Sequence, residues 1–167
     1  MKKLFSFLIV AVLLVTCMAP AAFAAGTPAI SLNIAQGEQS DTVTVSASIS
    51  EATFATYGMK LNYDSSVLEL QSINQGPQTQ GTFVANTDNG MLTAFHVADY
   101  TANGVIFTAT FKIKNNAVIG TTYPVSVAVD NVTKADRTAL TVTASAGGVT
   151  IICSHNWSAW RQTTDPD

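Results

Sequence analysis

From Ile30 onward, apolar and polar residues alternate along the chain with a period of two, the spacing that sends successive side chains to opposite faces of a strand. Ile30, Leu32 and Ile34 alternate with Ser31, Asn33 and Ala35 before Gln36-Gly37-Glu38 turns the chain. Val43, Val45, Ala47 and Ile49 alternate with Thr44, Ser46, Ser48 and Ser50, predicting a strand with one dry and one hydroxyl-bearing face. Tyr57, Met59, Leu61 and Tyr63 do the same against Thr56, Gly58, Lys60 and Asn62. After the turn residues Asp64-Ser65-Ser66 comes Val67 to Ile73, with apolar positions at 68, 70 and 73, and then a Gln-, Gly- and Pro-rich loop from Asn74 to Gly81. Phe83 to Thr87 and Met91 to Ala98 flank Asp88-Asn89-Gly90, whose Asn-Gly pair tolerates positive φ at both central positions of a hairpin turn. Val105 to Ile113, Tyr123 to Val129 and Leu140 to Ile152 complete about nine strands, with no convincing helix between them.

Short strands separated by turns every 8–12 residues predict an all-β, two-sheet sandwich. A barrel is the other closed β architecture, but strands apolar on one face only suit two sheets packed ~10 Å apart. Composition agrees: Thr supplies 21 and Val 13 of the residues from Ala25 onward, and β-branched side chains fit a pleated, half-buried surface.

The chain has 167 residues, 47% hydrophobic and only 11% charged. Much of the apolar excess lies at the start, where Met1-Lys2-Lys3, the apolar run Leu4 to Val15 and Ala22-Phe23-Ala24 have the form of a secretory signal peptide over residues 1–24. The run is too short to cross a bilayer, which takes ~20 residues. Cys17 follows Leu14-Val15-Thr16, where the threonine is a poor fit to a lipoprotein box. Cleavage before Ala25 leaves six basic residues against eleven acidic ones, a net charge of −5. That balance argues against nucleic acid and anionic membranes as partners. Cys153 then has no second cysteine to pair with in the chain, so stability rests on the apolar core.

No reactive constellation stands out. The carboxylates Asp41, Glu51, Asp64, Glu69, Asp88, Asp99, Asp130 and Asp136 lie mostly beside Gly, Asn, Ser or Thr, where they serve turns. No nucleophile elbow is present, and Asp88-Asn89 and Asp130-Asn131 do not form an EF-hand loop. The chain is therefore read as non-enzymatic, with no catalytic residue, metal site or cofactor. His96 depends on register. If Ala94, His96 and Ala98 point inward, Thr93, Phe95 and Val97 form an outward apolar patch beside Lys60; the opposite register buries Phe95 and Val97 and exposes His96.

Three blocks resemble the cohesin domain family. Tyr57-Gly58-Met59-Lys60-Leu61-Asn62-Tyr63-Asp64-Ser65-Ser66-Val67-Leu68-Glu69-Leu70 is similar to its strand–turn–strand block, in which an alternating strand runs into Tyr-Asp-x-x-Val-Leu-Glu. Asn103 to Lys114, with Ala117 and Gly120 following, resembles a later block, and Gly147-Gly148-Val149-Thr150-Ile151 its last strand. The resemblance spans about residues 28–152 and implies a nine-stranded, jelly-roll-like sandwich over residues 25–152. It further implies a non-catalytic adaptor of cellulosome scaffolds or bacterial surfaces that binds dockerin modules on carbohydrate-active enzymes, the dockerin itself carrying calcium. The docking surface would be one face of the sheet holding Phe54–Tyr63, Phe83–Thr87, Met91–Ala98 and Tyr123–Val132. The partner-binding residues expected from it are Thr56, Gly58, Lys60 and Asn62, with Thr93, Phe95, Val97 and Asp99. Type I members place Asn and Asp anchors where this chain has Thr56 and Gly58, and many carry an insertion where it has only Asp99 to Asn103. Two other readings remain: a structural spacer, and a polysaccharide-binding module using Tyr57, Tyr63, Tyr100 or Tyr123, although Tyr57 and Tyr63 follow the buried periodicity.

Beyond the sandwich, Cys153-Ser154-His155-Asn156-Trp157-Ser158-Ala159-Trp160 breaks the Thr/Val pattern. It resembles the opening of small Cys-x-His-x-Trp-x-x-Trp repeats of Gram-positive surface proteins. The expectation is that residues 153–167 are the severed, disordered start of a second module, whose missing part would attach a secreted protein to the cell surface.

Overall fold

The computed structural model describes residues 26–153. The expected signal peptide, and all but Cys153 of the expected second module, lie outside them. Nine strands make up the described fold: β1 (Ala29–Leu32), β2 (Ile34–Gly37), β3 (Thr42–Asn62), β4 (Leu68–Gln75), β5 (Thr82–Asn86), β6 (Met91–Ile113), β7 (Thr122–Thr133), β8 (Thr143–Ser145) and β9 (Gly147–Ile151). The total equals the expected nine, but two expected strands are split and two expected pairs are merged.

The first split falls at Asn33. Its side chain accepts a hydrogen bond from Ser46 N at 2.7 Å and its backbone N–H donates to Ser46 O at 3.1 Å, halting the strand. β1 pairs with β3 whereas β2 pairs with β9, so the chain changes sheets here and the alternation slips by one. Ile34, expected beside Ile30 and Leu32 on the dry face, is instead 61% exposed. The second split divides Leu140–Ile152 into β8, parallel to β1, and β9, antiparallel to β7. Gly147 allows this crossing, because a Cβ there would stand 2.1 Å from Asn33 O and 2.6 Å from Leu32 O.

The two merged strands build the sandwich. The expected strands at 43–50 and 57–63 are one strand, β3, and those at 91–98 and 105–113 are one strand, β6. Asp99 to Asn103, expected to be a short loop, is strand with Tyr100 and Ala102 buried. β3 and β6 stay paired while both bend from one sheet into the other, with register shifts between Ile49 and Ala52 and between Phe54 and Thr56. Such irregularities are how a strand turns a sandwich corner. Phe54, Tyr57 and Tyr100 fill that corner, with Phe54 ring centroids 5.9 Å from Tyr57 and 4.9 Å from Tyr100.

The back sheet therefore runs β4–β6–β3–β1–β8, and the front sheet β5–β6–β3–β7, with β7 continuing onto β9 and β2. Val45, Ala47, Phe107, Ala109 and Phe111 from the back meet Tyr57, Met59, Leu92 and Ala94 from the front in one core. This is an all-β, jelly-roll-like two-sheet sandwich. The β5–β6 hairpin closes through Thr87–Gly90, where Asn86 and Asn89 side chains accept from Asp88 N and Met91 N. Only Gly90 takes positive φ (70°), so the four-residue turn does not need the left-handed Asn89 that a two-residue hairpin would. In the Tyr63-Asp64 motif, Asp64 Oδ1 accepts from Ser66 N and Ser66 Oγ at 2.9 and 2.6 Å. Those bonds hold its carboxyl below the ordinary value of 3.8 and make Asp64 a turn former.

One polar cluster sits inside the core. Thr79 Oγ1 donates to Ile106 O at 2.6 Å and accepts from the Tyr57 hydroxyl at 2.7 Å, and the Tyr57 hydroxyl also lies 3.2 Å from Ile106 O, pinning the 76–81 loop against β6. Burial pushes the Tyr57 phenol far up, so it stays a protonated donor. Thr79→Val keeps the shape and removes both of the hydroxyl's bonds, leaving Tyr57 its longer bond to Ile106 O, and is expected to cost about 1–3 kcal/mol in urea unfolding. An unchanged unfolding midpoint would show that this cluster contributes nothing to stability.

Candidate functional site

The front sheet turns one face outward, and its register decides which side chains share it. Thr56 of β3 stands across from Phe95 of β6 and Thr133 of β7, and Gly58 across from Thr93 and Asn131. Lys60 lies across from Met91 and Ala128, and Asn62 across from Ser126. On the other side of β6, Thr82, Val84 and Asn86 of β5 pair with Phe95, Thr93 and Met91. Because Leu92 and Ala94 are buried, Thr93 and Phe95 point outward, which selects the first of the two registers left open by the sequence. The alternation lapses just beyond. Ala98, inward in that register, is exposed where β6 begins its bend. His96 is half-buried, its ring edge-on to Tyr100 at 5.6 Å and its Nδ1 2.7 Å from Ala98 O.

The face carries an apolar band. Val84, Met91, Phe95 and Val97 are 63%, 47%, 54% and 80% exposed, with Lys60, Asn62, Asn86, Thr93 and Asn131 around them. Four large apolar side chains together on one open sheet face form the kind of surface that a partner buries.

The structure thus brings Thr56, Lys60, Asn62, Thr93, Phe95 and Val97 onto one surface, and it sets the other two expected residues, Gly58 and Asp99, apart. Gly58 is buried, because the Asn131 amide covers it: Oδ1 and Nδ2 lie 3.3 Å from where a Cβ would be. Asp99 is turned to a structural task, its Oδ1 accepting from Ala135 N at 2.6 Å and fastening the turn after β7. Val84, Met91 and Asn131 join this face although the sequence expectation does not name them. Val84 and Met91 were legible as outward positions of their own alternations, but only cross-strand register places them beside Phe95.

Tyr57 and Tyr100 are buried and Tyr63 and Tyr123 half-buried, which leaves Phe95 as the exposed aromatic ring of the described sheets. Among the described residues no group of three His, Cys, Asp or Glu could hold a metal ion. No described helix is long and apolar enough to cross a membrane.

Similar proteins set this geometry in a family. A family model described as the Cohesin domain matches residues 28–151. The seventh ScaB type I cohesin of Pseudobacteroides cellulosolvens is 20% identical with a TM-score of 0.67, over 80% of this chain and 97% of its own. The non-cellulosomal cohesin of the archaeon Archaeoglobus fulgidus is 17% identical with a TM-score of 0.66, over 76% and 92%. A type I cohesin–dockerin complex from Clostridium thermocellum is 16% identical with a TM-score of 0.65, over 75% and 99%. No curated protein matches the chain. At such identities the structural likeness carries the fold, and the family match carries membership: this chain belongs to the cohesin domain family.

Proposed function

We propose that the chain is a secreted, non-catalytic adaptor that binds a dockerin-type module, carried by a carbohydrate-active enzyme in a cellulosome-like assembly, through the outer face of its front sheet. The observation that carries the reading is the open band of Val84, Met91, Phe95 and Val97, framed by the polar rim of Lys60, Asn62, Asn86 and Asn131. Such a band costs solubility unless something covers it. The solved relatives support a dockerin as the cover, since the Clostridium thermocellum structure is a cohesin–dockerin complex. The archaeal relative is described as a non-cellulosomal cohesin.

The test is surface plasmon resonance with the whole chain immobilised and a panel of purified type I and type II dockerins, with calcium and with a chelator. Saturable binding by at least one dockerin, lost with the chelator, is the expected result. Silence across the panel would overturn the reading. Retarded migration in polysaccharide affinity gels, abolished by Phe95→Ala, would replace it with glycan binding, a weaker reading because the described sheets expose a single aromatic ring.

A further inference from the structure

At the Val97 end of the docking face, an open depression of about 310 Å³ lies between β6, β3 and the turn that follows β7. Its lining combines Thr56, Phe95, His96, Val97 and Thr133 with the cationic Lys134 and Arg137. The turn that presents the two cations is firmly built. Lys134 N donates to Thr138 O at 2.9 Å and Arg137 N to Lys134 O at 3.0 Å, with Arg137 held at φ 69°. Asp99, one strand away, fastens it through Ala135 N.

The charges at this end are unequally engaged. Asp99 accepts from Ala135 N, and Asp136 Oδ1 accepts from Thr138 N at 2.8 Å, an interaction that holds the Asp136 carboxyl below its ordinary value. Asp136 also feels the charge of Lys134. Among the described residues, no ion pair or side-chain hydrogen bond engages the Lys134 ammonium or the Arg137 guanidinium. An unengaged guanidinium is a planar fork suited to a carboxylate. Here it shares the depression with the apolar Phe95 and Val97. A carboxylate ligand with aliphatic neighbours matches both the cationic and the apolar lining residues.

We propose that this depression seats an acidic side chain of the docked partner, an Asp or Glu flanked by aliphatic residues, with the carboxylate on Arg137 and Lys134 and the aliphatic neighbours on Phe95 and Val97. The proposal rests on the docking reading above and adds a position to it: an acidic element of the partner lies over the Val97 end of the face. Asp99 is a positioning residue that sets the turn.

The experiment compares Arg137→Glu with Lys112→Glu, a back-sheet substitution that changes net charge equally, using the best-binding dockerin of the panel at low and high salt. Charges at an interface rim act mainly on the association rate and its salt dependence. The expected result is an association rate reduced about tenfold by Arg137→Glu at low salt, the gap closing as salt rises, with Lys112→Glu close to the parent. Melting curves of both variants confirm that they are folded. Equal rates for the two variants, while Phe95→Asp still abolishes binding, would overturn the acidic seat and leave the docking face standing. Binding that survives Phe95→Asp unchanged would overturn both.

Discussion

Truncating Phe54 to alanine is expected to remove about 3–5 kcal/mol of folding stability. The ring is fully buried at the corner where β3 leaves the back sheet for the front, and it touches Tyr57 and Tyr100 at once. Aromatic pairs of this kind add about 0.5–1.5 kcal/mol each beyond the area they bury. Register shifts on both sides of Phe54 leave the corner short of regular ladder hydrogen bonds, so side-chain packing carries it. A single domain holds about 5–15 kcal/mol in total, so this one truncation takes a large share. Urea unfolding should show a lower midpoint with an unchanged slope. A loss under about 1 kcal/mol would show that the corner repacks, and that the joint between the sheets rests elsewhere.

Phe95→Asp is expected to weaken partner binding at least about 30-fold, roughly 2 kcal/mol or more, while changing stability by only about 0.5 kcal/mol. Phe95 lies between Thr56 and Thr82 in mid-sheet and is half exposed, so the fold does not need its ring although the apolar band does. Burying an aspartate against a partner's apolar side chains would leave an uncompensated charge. Two controls give the result its meaning. Phe107→Asp, on the inward side of the same strand, should fail to fold, because that ring is buried in the core. Ile119→Asp, equally exposed but outside the front sheet, should bind as the parent does. If Phe95→Asp and Ile119→Asp behave alike, the front face is not the docking surface.

The contrast between Phe95 and Phe107 shows what could be read before the fold was known. Each strand's alternation was plain, and Val43, Val45, Ala47 and Ile49 are buried as their spacing demands. Hydrophobic periodicity is local, so it survives reading one strand at a time. It did not distinguish the two phases of Met91–Ala98, since both put apolar residues inside. The choice fell to Leu92 and Ala94 because they complete the core with Tyr57 and Met59. Continuity failed for a related reason. The residues from Ser50 to Ala55 and from Asp99 to Asn103 look like breaks, yet each strand passes through them because its partner bends at the same place. Ile34 was misplaced because a change of sheet at Asn33 shifts the phase without any change in the pattern.

The same division holds for the site. Thr56, Lys60, Thr93, Phe95 and Val97 could be named as outward residues in one register, but Val84, Met91 and Asn131 enter only through cross-strand pairing. Gly58 and Asp99 take their roles from Asn131 and Ala135, which lie far along the chain from them. By itself, the sequence determined an all-β chain with known inward faces, because burial in a strand depends on residues two apart. Which outward residues become neighbours, and which charges stay unengaged beside them, was decided by tertiary structure alone, because register and bending at the β3–β6 corner are properties of two strands together.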